Sequence, residues 1–234
     1  MVTRYGWVFV GILTGCIAES NRVLVSIPVL AGSNLEDTSL TLSTGEILQL
    51  STSTITLSNL RMQVPADPVE RLVHTGKTQH PGHNNSGDVA GELLGTWVVD
   101  LLGDPITLGD ASVYTGSFAT ASLELPGDES TGIPLVITLG GDLVRSDGNT
   151  VPFVFEASRS YNVQGIGFEV EVTEDAVPSQ LNLTLDMDHM ISYVDWTQTD
   201  TDGDGKLTLA DGDLYNTFMF GVESTPTYQL VSIP

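Results

Sequence analysis

Apolar and polar residues alternate along most of the chain between Arg22 and Leu185. A period of two places every second side chain on the same face, so each series predicts a strand with one buried face. We find about nine such series. Their apolar positions are Val23, Val25, Ile27 and Val29; Leu40 and Leu42; Ile55, Leu57, Leu60, Met62 and Val64; Trp97 and Val99; Ala119, Ala121, Leu123 and Leu125; Leu135, Ile137 and Leu139; Val151, Phe153 and Phe155; Phe168, Val170 and Val172; and Leu181, Leu183 and Leu185.

Turn signals separate several of these series. They are Thr44-Gly45, Pro126-Gly127-Asp128, Gly140-Gly141-Asp142 and Ser146-Asp147-Gly148-Asn149. In the third series the phase slips at Asn59, which predicts a one-residue bulge. We therefore expect an all-β fold, a single antiparallel β-sandwich of Ig-like or jelly-roll-like type over residues 22–234.

Two regions depart from the strand pattern. Residues 65–92 form a polar stretch, which predicts a long loop, and loops of that length in compact domains are usually functional or disordered. No helical periodicity occurs before residue 205. After it, the spacing of Leu214, Phe218 and Met219 predicts a short amphipathic helix.

The first 15 residues predict a secretory signal peptide. Arg4 precedes an apolar stretch of about ten residues, which is too short to span a bilayer as a helix. The stretch ends in Leu13-Thr14-Gly15-Cys16, which resembles the lipobox of bacterial lipoproteins. That resemblance implies lipidation of Cys16, a tether over residues 16–21 and, because Ile17 follows the cysteine, delivery to the outer membrane facing the periplasm or the cell surface. The alternative is a secreted soluble protein in which Cys16 has no such role.

Composition narrows the function classes. The chain carries 8 Lys and Arg against 30 Asp and Glu, a formal charge of −22, which argues against nucleic-acid and anionic-lipid partners. With one cysteine, the chain can form neither an internal disulfide nor a cluster of thiolate ligands. The 41% of hydrophobic residues is enough for a packed core.

The strongest chemical signal lies between Asp200 and Asp211. Oxygen-bearing side chains recur at alternate positions, with a glycine sixth and an aliphatic residue eighth. The stretch resembles the calcium loop of EF-hand and dockerin modules, since Ca²⁺ takes six to eight oxygen ligands. The resemblance implies calcium ligands at Asp200, Asp202, Asp204, Lys206 (through its carbonyl), Thr208 and Asp211. The departure is Asp211, where EF-hands carry glutamate. The alternative is an acidic turn that is only solvated.

Histidine gives a second signal. His74, His80 and His83 lie within ten residues of the long loop, and Pro81-Gly82 predicts a turn that brings His80 and His83 together. Imidazole is a usual ligand of copper and zinc, so these residues, with Asp88 and Glu92 as nearby oxygen donors, form a candidate transition-metal site.

The fourth histidine, His189, continues the alternation from Leu183. The alternation predicts that it faces inward beside Met187, as a further copper or zinc ligand. The alternatives are a solvated loop for the first three histidines and a core histidine bonded to a backbone carbonyl for His189.

An exported β-rich chain with a His-Pro-Gly-His loop and a late acidic loop resembles periplasmic copper-associated, MbnP-like proteins. This resemblance implies metal handling without catalysis. The chain carries no Gly-x-Ser-x-Gly, P-loop or His-Glu-x-x-His motif, and we expect it not to be an enzyme.

Two functions therefore remain. The first is a non-catalytic, lipid-anchored metal-binding protein of the cell envelope, with structural Ca²⁺ and capture of copper or zinc by the histidines. The second is a calcium-stabilised adhesion or ligand-binding module with an envelope protein or a glycan as partner. The sequence leaves the ligand, the transition metal and the oligomeric state open.

Overall fold

The computed structural model describes residues 22–65, 88–127, 136–197, 205–208 and 212–234. Within these ranges the chain forms twelve strands and two α-helices. The strands are β1 Leu24–Ser33, β2 Ser39–Thr41, β3 Ile47–Gln63, β4 Val89–Asp100, β5 Ile106–Tyr114, β6 Gly116–Leu125, β7 Ile137–Val144, β8 Thr150–Ala157, β9 Tyr161–Val172, β10 Gln180–Leu185, β11 Leu207–Thr208 and β12 Tyr228–Ile233. The helices are α1 Met187–Ile191 and α2 Asp213–Glu223, and a 3-10 turn follows at Thr225–Thr227.

All twelve strands join one hydrogen-bonded network. Its main path runs β11-β8-β7-β3-β4-β5-β1-β10-β12, and β6 links β3 to β9. The 17-residue strand β3 holds the network together, because its first half pairs with β2 and β7 and its second half with β4 and β6. Strand β12 also lies beside β9, with Cα atoms within 8 Å, although the two strands are far apart along the network.

The predicted all-β, sandwich-like fold is therefore confirmed, with one correction to its topology. Two of the strand pairs are parallel: β1 with β10, and β11 with β8. The remaining pairs in the described chain are antiparallel. The buried side chains form one cluster, and its largest fully buried members include Phe153, Phe155, Phe218, Ile27 and Leu48.

The bulge predicted at Asn59 is confirmed. Asn59 has a φ of 50°, and the register of β3 against β4 shifts between Ser58 and Leu60. The Asn59 side chain donates to Glu124 Oε2 at 2.7 Å, and Arg61 Nη1 donates to Glu124 Oε1 at 2.5 Å. Asparagine tolerates the left-handed region better than other non-glycine residues, which explains its presence here.

The turn predicted at Gly140-Gly141-Asp142 is wrong, because these residues lie inside β7. A Cβ at Gly141 would overlap the backbone carbonyl of Gln49 on β3. Gly141 therefore allows β7 and β3 to approach closely and does not form a turn. The turns at Thr44-Gly45 and Ser146–Asn149 are confirmed, with φ values of +85° at both Gly45 and Gly148.

Three further expectations need correction. The long loop was expected to reach Glu92, but β4 already begins at Val89. The alternation does not reveal strand β5, because Leu108 is an extra residue between Thr107, the partner of Leu30, and Gly109, the partner of Val29, and it breaks the period-two pattern. Helix α1 was missed because it has only five residues, too few for a helical repeat to be visible. In the part of the chain that the structure describes, no helix has the length and apolarity needed to cross a membrane.

Candidate metal centre

The residues that lead into the acidic loop are fixed to the core by Trp196. Its indole ring is buried, meets the ring of Phe153 edge-on with centroids 5.4 Å apart, and donates through Nε1 to the carbonyl of Ile191 at 3.3 Å. The guanidinium of Arg145, on the turn between β7 and β8, donates to the carbonyl of Trp196. The chain is thus held at Trp196, four residues before Asp200.

The residues within the loop that the structure describes are Gly205 to Thr208. Gly205 has a φ of +83°, a left-handed conformation that favours glycine, and a Cβ there would meet no atom of the described residues within 4 Å. Leu207 is buried and pairs in parallel with Phe153, while Thr208 pairs with Val154. The sixth and eighth positions of the predicted calcium loop therefore adopt a sharp turn followed by a buried, strand-paired residue.

Helix α2 follows the acidic loop and packs against the core. Its Phe218 and Met219 are buried, and the ring centroids of Phe218 and Phe155 lie 3.7 Å apart. A Cβ at Gly221 would overlap the carbonyl of Met190, so α2 packs closely against α1. The short amphipathic helix predicted after residue 205 is thereby confirmed, with Leu214 only half-buried at its start.

Of the six predicted calcium ligands, Lys206 and Thr208 lie in the described chain, and both side chains are exposed. Asp200, Asp202, Asp204 and Asp211 lie outside the described residues. Beside the described part of the loop is an open depression of about 530 Å³, lined among others by Gly205, Thr197 and Asp147.

The ion pair of Glu46 and Arg145 borders the same depression. Arg145 Nη1 lies 3.0 Å from Glu46 Oε1, and the side chains are 15% and 10% exposed for Arg145 and Glu46 respectively. No local motif marks this pair in the sequence. The available signal is the scarcity of cations, since the chain has 8 Lys and Arg residues against 30 Asp and Glu residues.

The candidate copper or zinc ligands are not brought together by the described residues. His74, His80 and His83 lie outside them, while Asp88 and Glu92 are exposed at the start of β4. The backbone N–H of Val64 donates to the carbonyl of Asp88 at 3.1 Å, so the segment between them leaves and rejoins the sheet at one place. Within the described ranges, no group of three or more His, Cys, Asp or Glu side chains is placed to hold a metal ion.

His189 does not continue the β10 alternation, because the strand ends at Leu185 and Asp186 caps α1. The half-buried imidazole lies with Nε2 3.1 Å from Ser224 Oγ and 3.4 Å from the Tyr193 hydroxyl. The expectation that His189 points into the core from a strand is therefore wrong.

No protein-family model and no curated protein sequence matches the chain. Among solved structures, the chain is similar to MbnP from Methylosinus trichosporium, at 8% sequence identity and a TM-score of 0.42. The similarity covers 91% of this chain and 99% of that chain. A similarity of this size shows neither a family nor a function.

Proposed function

We propose that this chain is a lipid-anchored, calcium-stabilised β-sandwich protein of the bacterial cell envelope, without catalytic activity of its own. The ion binds the loop from Asp200 to Asp211. The observation that carries the proposal is the conformation at Gly205 and Leu207, since the sequence pattern calls for a left-handed glycine and a buried aliphatic residue at these two positions.

A structural role for the ion follows from how the loop is attached. Trp196 before the loop and Leu207 within it both meet Phe153 on β8. The aspartates between and after these anchors repel one another when no cation is present, and Ca²⁺ removes that repulsion. The ion therefore orders the connection between the β8 edge and helix α2. A sensor role is disfavoured, because the side chain of Asp211 is shorter than the glutamate that closes EF-hand sensor loops.

The test is a calcium titration of the protein purified without chelator, preceded by elemental analysis. We expect one equivalent of calcium and a higher melting temperature when Ca²⁺ is added, since a ligand at 100 times its Kd adds about 2.7 kcal/mol to stability. The double variant D202N/D204N should lose this response. D175N, at an exposed turn position after β9, is the matched control and should keep it. Equal responses of the two variants would contradict the proposal.

Copper or zinc capture by His74, His80 and His83 is the second metal function that we propose. It is supported by the Val64–Asp88 hydrogen bond, which places the described residues on either side of the histidine-bearing segment next to each other, with the oxygen ligands of Asp88 and Glu92 at the start of β4. Competition titration with Cu²⁺ and Zn²⁺ tests it. H80A/H83A should abolish binding tighter than about micromolar, and H189Q tests separately whether His189 takes part. Unchanged binding in H80A/H83A would reject the site.

The alternative function, ligand binding at a calcium-stabilised surface, is favoured by one observation. Tyr193 and Phe220 form an edge-to-face pair with centroids 4.8 Å apart, and they are 40% and 60% exposed. Exposed aromatic rings can pack against the apolar faces of sugars. A glycan-binding screen with Ca²⁺ present should find a ligand that Y193A/F220A no longer binds, and an empty screen would remove this alternative.

A further inference from the structure

Three exposed apolar side chains gather where the chain enters its first strand. Leu24, Val89 and Tyr114 are 55%, 50% and 46% exposed, and they line one open depression of about 480 Å³. Leu24 pairs directly with Tyr114 across β1 and β5, while Val89 is the first residue of β4. We call these three side chains the apolar patch.

Two hydrogen bonds fix the chain just before β1. Val23 accepts a hydrogen bond from the Thr115 N–H at 2.8 Å and donates its own N–H to Thr115 Oγ1 at 3.0 Å. The start of β1 is therefore bonded to the end of β5. A group attached to the chain shortly before Arg22 stays close to the apolar patch.

We propose that the apolar patch rests on the lipid surface to which Cys16 anchors the protein. This inference rests on the lipid anchor of the proposed function. Six residue steps separate Cys16 from Arg22, and an extended chain covers at most about 3.5 Å per residue, so the domain begins within about 20 Å of the anchor. This distance is short enough for the end of the domain that carries Leu24 to reach the headgroup layer.

The chemistry of the patch fits the zwitterionic interface of a bilayer. Leucine and valine side chains gain from leaving water, and tyrosine places its ring and hydroxyl at the level of the headgroups. Glu92 also lines the depression, and the chain as a whole carries a charge of −22. Both disfavour a surface of anionic lipids, so we expect the patch to contact zwitterionic phospholipids, for which phosphatidylcholine is the probe.

The experiment uses the full chain, produced with its signal peptide and reconstituted in phosphatidylcholine vesicles with brominated acyl chains. An acylated Cys16 has no free thiol, so a cysteine introduced by Tyr114→Cys is the one site that a fluorescent maleimide labels. Phe220→Cys, at an exposed position on α2, is the matched control. We expect bromine to quench the label at 114 at least about twofold more than the label at 220, because only the former lies at the acyl boundary.

Adding Leu24→Ser and Val89→Ser should reduce the quenching at 114 to that at 220. Equal quenching at the two positions, with Cys16 acylated by mass spectrometry, would overturn the docking and leave the anchor intact. Shielding of the label at 114 from aqueous iodide without quenching by bromine would mean that protein covers the patch, which also overturns the docking. A second label at a free Cys16 would overturn the lipid anchor and the docking together.

Discussion

Trp196 packs edge-on against Phe153, with ring centroids 5.4 Å apart and ring planes at 72°. The same Phe153 is the strand partner of Leu207, which lies eleven residues after Trp196. Trp196 before the acidic loop and Leu207 within it thus both meet one residue of β8. Calcium binding and the packing around Phe153 should therefore be coupled. A substitution in the core beside Phe153 should then change the affinity for Ca²⁺.

Replacement of Leu207 by alanine should destabilise the protein by about 2–4 kcal/mol, because it removes a buried side chain and leaves a cavity beside Phe153. It should also weaken calcium binding, since the loop loses the packing of the buried Leu207 side chain against the core. Urea unfolding with and without Ca²⁺ measures both effects. Leu94→Ala, the same substitution at a position that is 59% exposed, should cost about 0.5 kcal/mol or less. If L207A binds Ca²⁺ as tightly as the unmodified protein, calcium binding is not coupled to the packing of Leu207.

Replacement of Gly205 by alanine should cost about 1–2 kcal/mol, because φ is +83° and a Cβ is disfavoured there by the local backbone alone. Gly148 is a matched control, with a φ of +85° and, among the described residues, likewise no atom within 4 Å of an added Cβ. Without calcium, G205A and G148A should lose similar stability. Only G205A should raise the Kd for Ca²⁺ in a calorimetric titration. A similar rise in both variants would mean that the effect is a general loss of stability.

The parts of the fold that the sequence could predict are those specified by neighbouring residues. The bulge at Asn59 is visible as a slip in the alternation, and the turn at Gly205 as a glycine at a fixed position between aspartates. The role of Gly141 cannot be predicted from its neighbours, because a glycine is needed there to avoid the carbonyl of Gln49 on another strand. His189 was misplaced because Asp186 ends the strand and begins a helix, which alternation alone does not reveal.

The surroundings of the candidate site were the least predictable part. Arg145 and Trp196 are 51 residues apart in sequence, and the ion pair of Arg145 with Glu46 spans 99. No local pattern links such residues, because the contact exists only once β7 and β8 are placed beside β3. The ligand types of the proposed calcium loop can therefore be inferred from the sequence, whereas the groups that hold its ends cannot.

The ion pair of Arg145 with Glu46 should contribute more to stability than the ion pair of Arg61 with Glu124. Replacing Arg145 with methionine leaves the nearly buried carboxylate of Glu46 without its cation and removes the donor to the Trp196 carbonyl. We expect a loss of about 3 kcal/mol. Arg61→Met breaks the pair with Glu124, whose side chains are 33% and 31% exposed, and should cost about 1 kcal/mol or less.

A double-mutant cycle of Arg145→Met and Glu46→Gln in urea unfolding checks this directly. We expect the two positions to be coupled by about 1–3 kcal/mol. A coupling near zero, or equal losses in R145M and R61M, would show that the burial of the Glu46–Arg145 pair does not determine its contribution.

Glu223 and Glu124 should give stability opposite dependences on pH. Burial raises the pKa of Glu223, and Arg159, whose Nε lies 3.1 Å from Oε1, only partly opposes that rise. Burial also acts to raise the pKa of Glu124, but the hydrogen bonds from Asn59 and Arg61 and the charge of Arg61 outweigh it, so the pKa of Glu124 is lowered. A raised pKa means that the folded protein binds the proton more tightly, and a lowered pKa means the reverse.

The contribution of Glu223 is therefore complete below its unfolded pKa of 4.5 and is lost as pH rises through the folded value. That of Glu124 is present above 4.5 and is lost as pH falls through its folded value. To test these two dependences, the free energy of unfolding is measured from pH 3 to 8 for the unmodified protein, E223Q and E124Q. Relative to E223Q, the unmodified protein should lose stability as pH rises, and relative to E124Q it should gain. The same sign for both differences would show that the Arg159 charge, and not burial, controls the pKa of Glu223.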